Sequence, residues 1–258
     1  MDLDLKGKLA LVTGASKGIG AAIAVELAKE GCDLFLAARS AEQMQALKRE
    51  LEGEYGVKVA VRACDLSKHE DVLALAAACP APDILVNNAG AIPAGNLQEV
   101  THERWKAAWD LKVFGYIGLT RAILPAMYTR KSGVVVCVCG AAASGPNPNY
   151  IAGCMANLAL NMFVQCLARE AFDHGVRAMA VNPGPTASER QTYLAKEAAR
   201  RKLGDPERYV EMMKDYPGGR IATCEEIAHT VAFLASSKSA YTSGAEITID
   251  AGNRFKKY

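Results

Sequence analysis

The sequence predicts an α/β protein in which a parallel sheet of about seven strands carries helices on both faces. Short runs of β-branched and apolar residues alternate with longer stretches of helical periodicity almost to the end of the chain, which is typical of strands joined by crossover helices. The 258 residues, of which 50% are hydrophobic, supply one large core. Because no linker or low-complexity segment divides the chain, we expect a single domain over residues 1–258.

The strands are predicted from apolar runs of four to seven residues, each followed by a turn signal. In chain order they cover residues 9–13, 33–38, 57–63, 84–87, 134–139, 177–182 and 246–249. The helices are predicted from apolar residues at helical spacing between these runs. They cover residues 18–30, 41–55, 68–78, 102–127, 149–174 and 225–235.

Residues 186–216 interrupt the alternation because they are polar, charged and helical in periodicity. An insertion after the carboxyl end of a strand is where an α/β protein places a substrate lid. Its cations and tyrosine favour an anionic or polar aromatic substrate, or they belong simply to an exposed charged helix. These residues are Arg190, Tyr193, Lys196, Arg200 and Arg201.

The helices predicted over 102–127 and 149–174 are apolar on more than one face. A helix that is apolar all round is buried on both sides, so a face that does not pack on the sheet needs another partner. We expect these helices to form a homo-oligomer, a tetramer or a dimer, with burial under the lid as the competing explanation.

Charge and cysteine content narrow the function further. The 30 basic and 28 acidic residues leave a net charge of +2, and no concentrated basic face points to nucleic acid. The acidic start does not resemble a signal peptide, and no apolar run is expected to be long enough to cross a membrane. The eight cysteines form no Cys-x-x-Cys pair, which favours reduced thiols in the cytoplasm and no metal site.

A glycine-rich turn joins the first strand to the first helix and predicts a nucleotide site, since such a turn brings backbone N–H groups and a helix N-terminus to a pyrophosphate. The ends of later strands supply further candidate contacts. Asp65 can accept a hydrogen bond from an adenine amino group, backbone without bulky side chains can approach the ribose, and Thr186 and Ser188 can bind a carboxamide. The remaining predicted cofactor residues are Gly14, Ser16, Lys17, Gly18, Ile19, Gly20, Leu66, Asn88, Ala89, Gly90, Pro183 and Gly184.

Together these motifs resemble the short-chain dehydrogenase/reductase family from about Leu5 to Gly252. The glycine turn, the Asn-Asn-Ala-Gly segment at 87–90, the Pro-Gly after the sixth strand and the ending at 243–252 carry the resemblance. The resemblance implies a single Rossmann-like domain, usually a tetramer, that binds a nicotinamide dinucleotide and acts on a small carbonyl or alcohol substrate.

The charges at the end of the second strand distinguish the two nicotinamide cofactors. An enzyme that prefers NAD places an acidic residue there to bind the ribose hydroxyls. This sequence has Arg39 and Ser40 at that point, and Asp33 lies at the opposite end of the strand. Because Arg39 and Lys17 suit a 2′-phosphate, the sequence favours NADP, with NAD as the alternative.

The catalytic motif departs from the family pattern. In the family an asparagine, a serine, a tyrosine and a lysine form the active site. By resemblance, the corresponding positions here hold Lys112, Gly140, Gly153 and Asn157. Three interpretations remain open: an oxidoreductase with a rearranged site, an NADP-binding sensor or structural subunit without chemistry, and an enzyme of another class such as a lyase.

The first interpretation can be stated residue by residue. Tyr150 lies one helical turn before Gly153, and Asn149 is a candidate helix cap. We expect Tyr150 to donate the proton, Lys112 to lower its pKa and Asn157 to orient the pair, as if the family's lysine and asparagine had exchanged positions. Ser144 is the expected substitute for the missing serine.

Overall fold

The computed structural model describes residues 1–79 and 81–255, which form an α/β domain around one sheet of seven parallel strands. The strand order is β3-β2-β1-β4-β5-β6-β7. The chain therefore crosses from β3 at one edge to β4 in the middle, so the order reverses between β1 and β4. The strands are β1 (Leu9–Thr13), β2 (Asp33–Ala38), β3 (Val59–Ala63), β4 (Ile84–Asn87), β5 (Gly133–Val138), β6 (Val176–Pro183) and β7 (Glu246–Ile249).

Nine α-helices lie in the described part of the chain, most of them between successive strands. Where their N-terminal N–H groups are capped by a side chain, Ser or Thr provides the acceptor, as at Ser40, Ser188 and Thr223. The helices are α1 (Gly18–Lys29), α2 (Ala41–Tyr55), α3 (His69–Ala78), α4 (His102–Trp109), α5 (Gly115–Thr129), α6 (Ile151–Ala171), α7 (Glu189–Leu203), α8 (Tyr209–Met213) and α9 (Cys224–Ala235).

Alternate residues of each buried strand enter two separate cores, one on each face of the sheet. On one face, Val12 and Val136 pack with Ile23 of α1 and Val231 of α9. On the other face, Leu11 and its neighbours pack with α3, α5 and α6. Strands that are covered on both faces appear in the sequence as continuous apolar runs. Because such runs are easy to recognise, the strand bounds could be predicted to within a few residues.

The predicted helix over 102–127 is in fact two α-helices joined by a π-helical segment at Asp110–Phe114. The wider turn is typical of functional sites, and here it carries the buried Lys112. The predicted lid over 186–216 contains α7 and α8.

Helix α6 begins at Ile151 with Tyr150 at its N-cap, so Asn149 does not cap it as expected. By length and composition alone, residues Ile151–His174 would suffice to cross a membrane, so the expectation of no such run is wrong for this segment. Core helices pass the same test, and one side of α6 is buried against the sheet. Its outer side leaves Met155, Leu158 and Met162 about half exposed.

Candidate functional site

A cavity of about 1260 Å³ opens at the carboxyl ends of the strands, where the order reverses between β1 and β4. Such a reversal separates the loops of neighbouring strands and creates a crevice that α/β proteins use for ligands. The loops after β1, β2, β4, β5 and β6 line the cavity, and the lid helix α7 covers one side.

The turn after β1 forms one wall of the cavity and needs its glycines. Gly14 and Gly18 have φ angles of +65° and +59°, in the left-handed region that favours glycine. A Cβ on Gly20 would lie 2.2 Å from the Gly14 carbonyl oxygen and 2.5 Å from Nδ2 of Asn88. That nitrogen donates hydrogen bonds to the carbonyl oxygens of Thr13 (3.0 Å) and Gly14 (3.3 Å), so the turn is fastened to the loop after β4.

The N-terminus of α1 faces this cavity from the same turn. Lys17 occupies the N-cap and makes no side-chain capping bond. No side chain caps the first-turn N–H groups, so these groups and the positive end of the helix dipole can interact with a bound phosphate. Lys17 also forms an ion pair with Glu189 at the start of α7.

Nearly all of the predicted cofactor residues line the cavity, Arg39 and Ser40 included. Asp65 is the exception. Its carboxylate does not line the cavity, and it accepts hydrogen bonds from the hydroxyl of Ser67 at 2.8 Å and its backbone N–H at 3.1 Å. Arg39, which lines the cavity, is among the charges that act on this carboxylate, and the role of Asp65 as an adenine acceptor stays a prediction. Thr186 and Ser188 lie at the cavity wall, where Ser188 also caps α7.

Lys112 is only 9% exposed and extends from the π-helical segment to the cavity wall. Its Nζ donates hydrogen bonds to the Cys139 carbonyl oxygen at 2.7 Å and to Oδ1 of Asn157 at 2.9 Å. Its stem fits beside Gly90, where a Cβ would lie 3.0 Å from the lysine Cδ. Burial, with a smaller repulsion from Arg190, lowers the pKa of Lys112 to about 8.

Tyr150 and Asn157 fill the space beside two glycines. A Cβ on Gly153 would lie 2.1 Å from Cε1 of Tyr150, so the tyrosine ring occupies the place a side chain would take. A Cβ on Gly140 would likewise lie 2.9 Å from Nδ2 of Asn157. The structure thus brings Lys112, Tyr150 and Asn157 to one wall of the same cavity.

Two expectations about this wall are corrected. Burial raises the pKa of Tyr150, and the charge that opposes this shift is the Arg190 guanidinium, not Lys112. Ser144 ends a short 3₁₀ helix, is exposed and does not line the cavity, so it does not replace a missing hydroxyl there.

Arg190 is a site residue whose position the sequence did not reveal. It lies in the first turn of α7, contacts the Ile92 carbonyl oxygen and stacks 5.3 Å from the ring centroid of Tyr193. A cation in the first turn of a helix is repelled by the positive end of the helix dipole. This unfavourable position of Arg190 is the feature of the sequence that could have identified it as a site residue.

Comparison with known proteins gives consistent matches. The short chain dehydrogenase family pattern matches residues 8–199. The chain is 33% identical over 254 residues to 3-oxoacyl-(acyl-carrier-protein) reductase FabG of Escherichia coli, covering 97% of this chain and 98% of that protein. The structure of L-sorbose reductase from Gluconobacter frateurii, complexed with NADPH and L-sorbose, superimposes with a TM-score of 0.90 at 32% identity over the full length of both chains. NAD⁺-bound xylitol dehydrogenase gives a TM-score of 0.89 at 25% identity, covering 96% of this chain and 100% of that one.

Proposed function

Since the chain belongs to the short chain dehydrogenase family, we propose that it is an NADP-dependent oxidoreductase acting on a carbonyl or alcohol substrate through a rearranged catalytic site. The cavity wall formed by Lys112, Tyr150 and Asn157 is the observation that carries this proposal. These side chains supply a hydroxyl, a cation and an orienting amide, the groups that a carbonyl reductase requires.

The residues present fit a dinucleotide. The pyrophosphate suits the uncapped N-terminus of α1, where Gly14, Gly18 and Gly20 leave room for close approach. Arg39 and Lys17 both line the cavity and would supply the positive charge for a 2′-phosphate. The ion pair of Lys17 with Glu189 leaves Arg39 as the stronger candidate, because its guanidinium pairs bidentately with phosphate.

When bound, the nicotinamide supplies or takes up a hydride. In the reductive direction, the Tyr150 hydroxyl donates a proton to the carbonyl oxygen, and Arg190 offsets the cost of burying the resulting phenolate. Lys112 places its ammonium at the same wall, where positive charge stabilises a developing alkoxide. Asn157 and the Cys139 carbonyl hold that ammonium in position.

A direct experiment is to follow NADPH absorbance with a panel of ketones, aldehydes, oxo acids and keto sugars. Turnover of at least one member supports the proposal. Tight NADPH binding with no turnover of any member would make the protein a non-catalytic NADP-binding subunit or sensor. A product formed without any change in nicotinamide absorbance would indicate an enzyme of another class.

Cofactor choice gives the first prediction. We expect NADPH to bind more tightly than NADH, with a difference of about 1.5–3 kcal/mol, or roughly 10–150-fold, from charge-assisted bonds to the 2′-phosphate. Fluorescence titration of both nucleotides measures it, and added salt should narrow the gap because exposed charges are screened. Arg39→Asp should reverse the preference, and equal affinities in the unmodified protein would contradict the assignment.

Assembly gives the second prediction. Met155, Leu158 and Met162 form an exposed apolar row on α6, with Phe114 exposed on the adjoining π-helical segment. We expect a homodimer or homotetramer, because covering apolar side chains stabilises by about 25 cal/mol per Å². Light scattering at micromolar concentration tests this, and a 27.5 kDa monomer would contradict it.

We place this oligomer in the cytoplasm, where the eight cysteines, all free in the structure, stay reduced.

A further inference from the structure

The charges around the cavity are unevenly compensated. Three carboxylates line it, and each has a cationic partner of its own: Glu189 with Lys17, Glu197 with Arg200, and Asp250 with Arg254. Two cations, Lys112 and Arg190, line the cavity at the wall that holds Tyr150. In the described part of the chain, the hydrogen-bond partners of both are neutral groups.

Arg190 is the more informative of these two cations. It is half-buried, and its polar contacts are the Ile92 carbonyl oxygen and the hydroxyl of Tyr150. Its ring contact is with Tyr193. Two other lid cations already pair with carboxylates, Lys196 with Glu207 and Arg201 with Glu99.

Holding Arg190 here carries an energetic cost. Its charge faces the positive end of the α7 dipole and repels the nearby Lys112 ammonium. Two uncompensated cations on one wall create a positive potential that a bound anion relieves, and a guanidinium is the side chain that best matches a planar carboxylate.

We propose that Arg190 is the anchor of a carboxylate subsite beside Tyr150, so that the substrate is an oxo acid and the product the corresponding hydroxy acid. This inference rests on the proposed function. The hydride adds to the carbonyl carbon, the carbonyl oxygen takes the proton from Tyr150, NADPH becomes NADP⁺, and the carboxylate is unchanged. Arg190 binds the carboxylate while Lys112 faces the carbonyl oxygen.

The test uses unbranched oxo acids of three to six carbons, each paired with its uncharged methyl ester. For the intact protein with NADPH, we expect kcat/KM for the preferred acid to exceed that for its ester about tenfold or more. In Arg190→Gln this acid-to-ester ratio should fall towards one. Lys196→Gln removes an equal charge from the same helix, and neither Lys196 nor its partner Glu207 lines the cavity, so this variant should keep the ratio.

Equal kcat/KM values for acids and esters in the unmodified protein would overturn the proposal, as would an unchanged ratio in Arg190→Gln. If no acid or ester is reduced, calorimetric titration of the same acids into the NADP-loaded protein separates the two questions. Binding that Arg190→Gln abolishes and Lys196→Gln retains would keep the carboxylate subsite while the reductase assignment fails. The absence of acid binding would overturn the subsite itself. Thermal melting of each variant establishes that it is folded.

Discussion

Replacing Lys112 with methionine is expected to lower carbonyl turnover by about 10²–10³-fold, while NADPH affinity stays within a few-fold. The change removes the ammonium that we propose stabilises the developing alkoxide, and losses of that size follow removal of one preorganised electrostatic donor. It also leaves Oδ1 of Asn157 and the Cys139 carbonyl without their donor. Single-turnover measurements with saturating NADPH isolate the chemical step from binding.

The pH dependence of the same rate provides an independent check. Because the pKa of Lys112 is lowered to about 8, the ammonium is present at neutral pH and is lost as the pH rises. The rate of reduction should therefore fall as the pH passes through about 8, and Lys112→Met should lack that alkaline limb. An identical limb in the variant would assign the titration to another group.

Two further variants complete the comparison. Lys106→Met removes an exposed lysine of α4 that pairs with Asp110, and it should retain nearly full turnover. Tyr150→Phe should lower turnover by about 10²–10⁴-fold through loss of the proton donor. Unmodified rates in both Lys112→Met and Tyr150→Phe would rule out the rearranged mechanism.

The second large effect is expected from Gly20→Ala. The added Cβ would lie 2.2 Å from the Gly14 carbonyl oxygen, a backbone atom that cannot move aside as a flexible side chain can. The turn after β1 must then shift away from Asn88, at a cost of about 1–3 kcal/mol in the free energy of unfolding. Because the same turn is proposed to hold the pyrophosphate, NADPH affinity should fall by about tenfold or more.

Chemical denaturation and nucleotide titration measure the two effects of Gly20→Ala separately. Gly53 is the matched control, since it lies in α2 with nothing within 4 Å of a Cβ. Gly53→Ala should stabilise the helix by about 0.5–1 kcal/mol and leave NADPH binding unchanged. If Gly20→Ala behaves like this control, the close packing of the turn does not constrain the site.

The parts of the fold that repeat a simple pattern could be predicted from the sequence. Buried parallel strands and the glycine turn carry local signals, so β1, β2, β4 and β7 were predicted with their exact bounds. The π-helical segment carries no such signal, because only tertiary packing determines that Lys112 points into the protein. The contact of Arg190 with Tyr150 likewise joins residues forty positions apart. Sequence spacing therefore suggested Lys112 as the charge beside Tyr150, and the lid supplies Arg190 instead.

The tyrosine ring over Gly153 also makes positions 150 and 153 interdependent. A Cβ at position 153 would lie 2.1 Å from Cε1 of the present ring, so the ring of Tyr150 would have to leave its place at the cavity wall. The two positions are therefore epistatic: the effect of a substitution at 153 depends on the side chain at 150, and a tyrosine introduced at 153 would displace the ring of Tyr150.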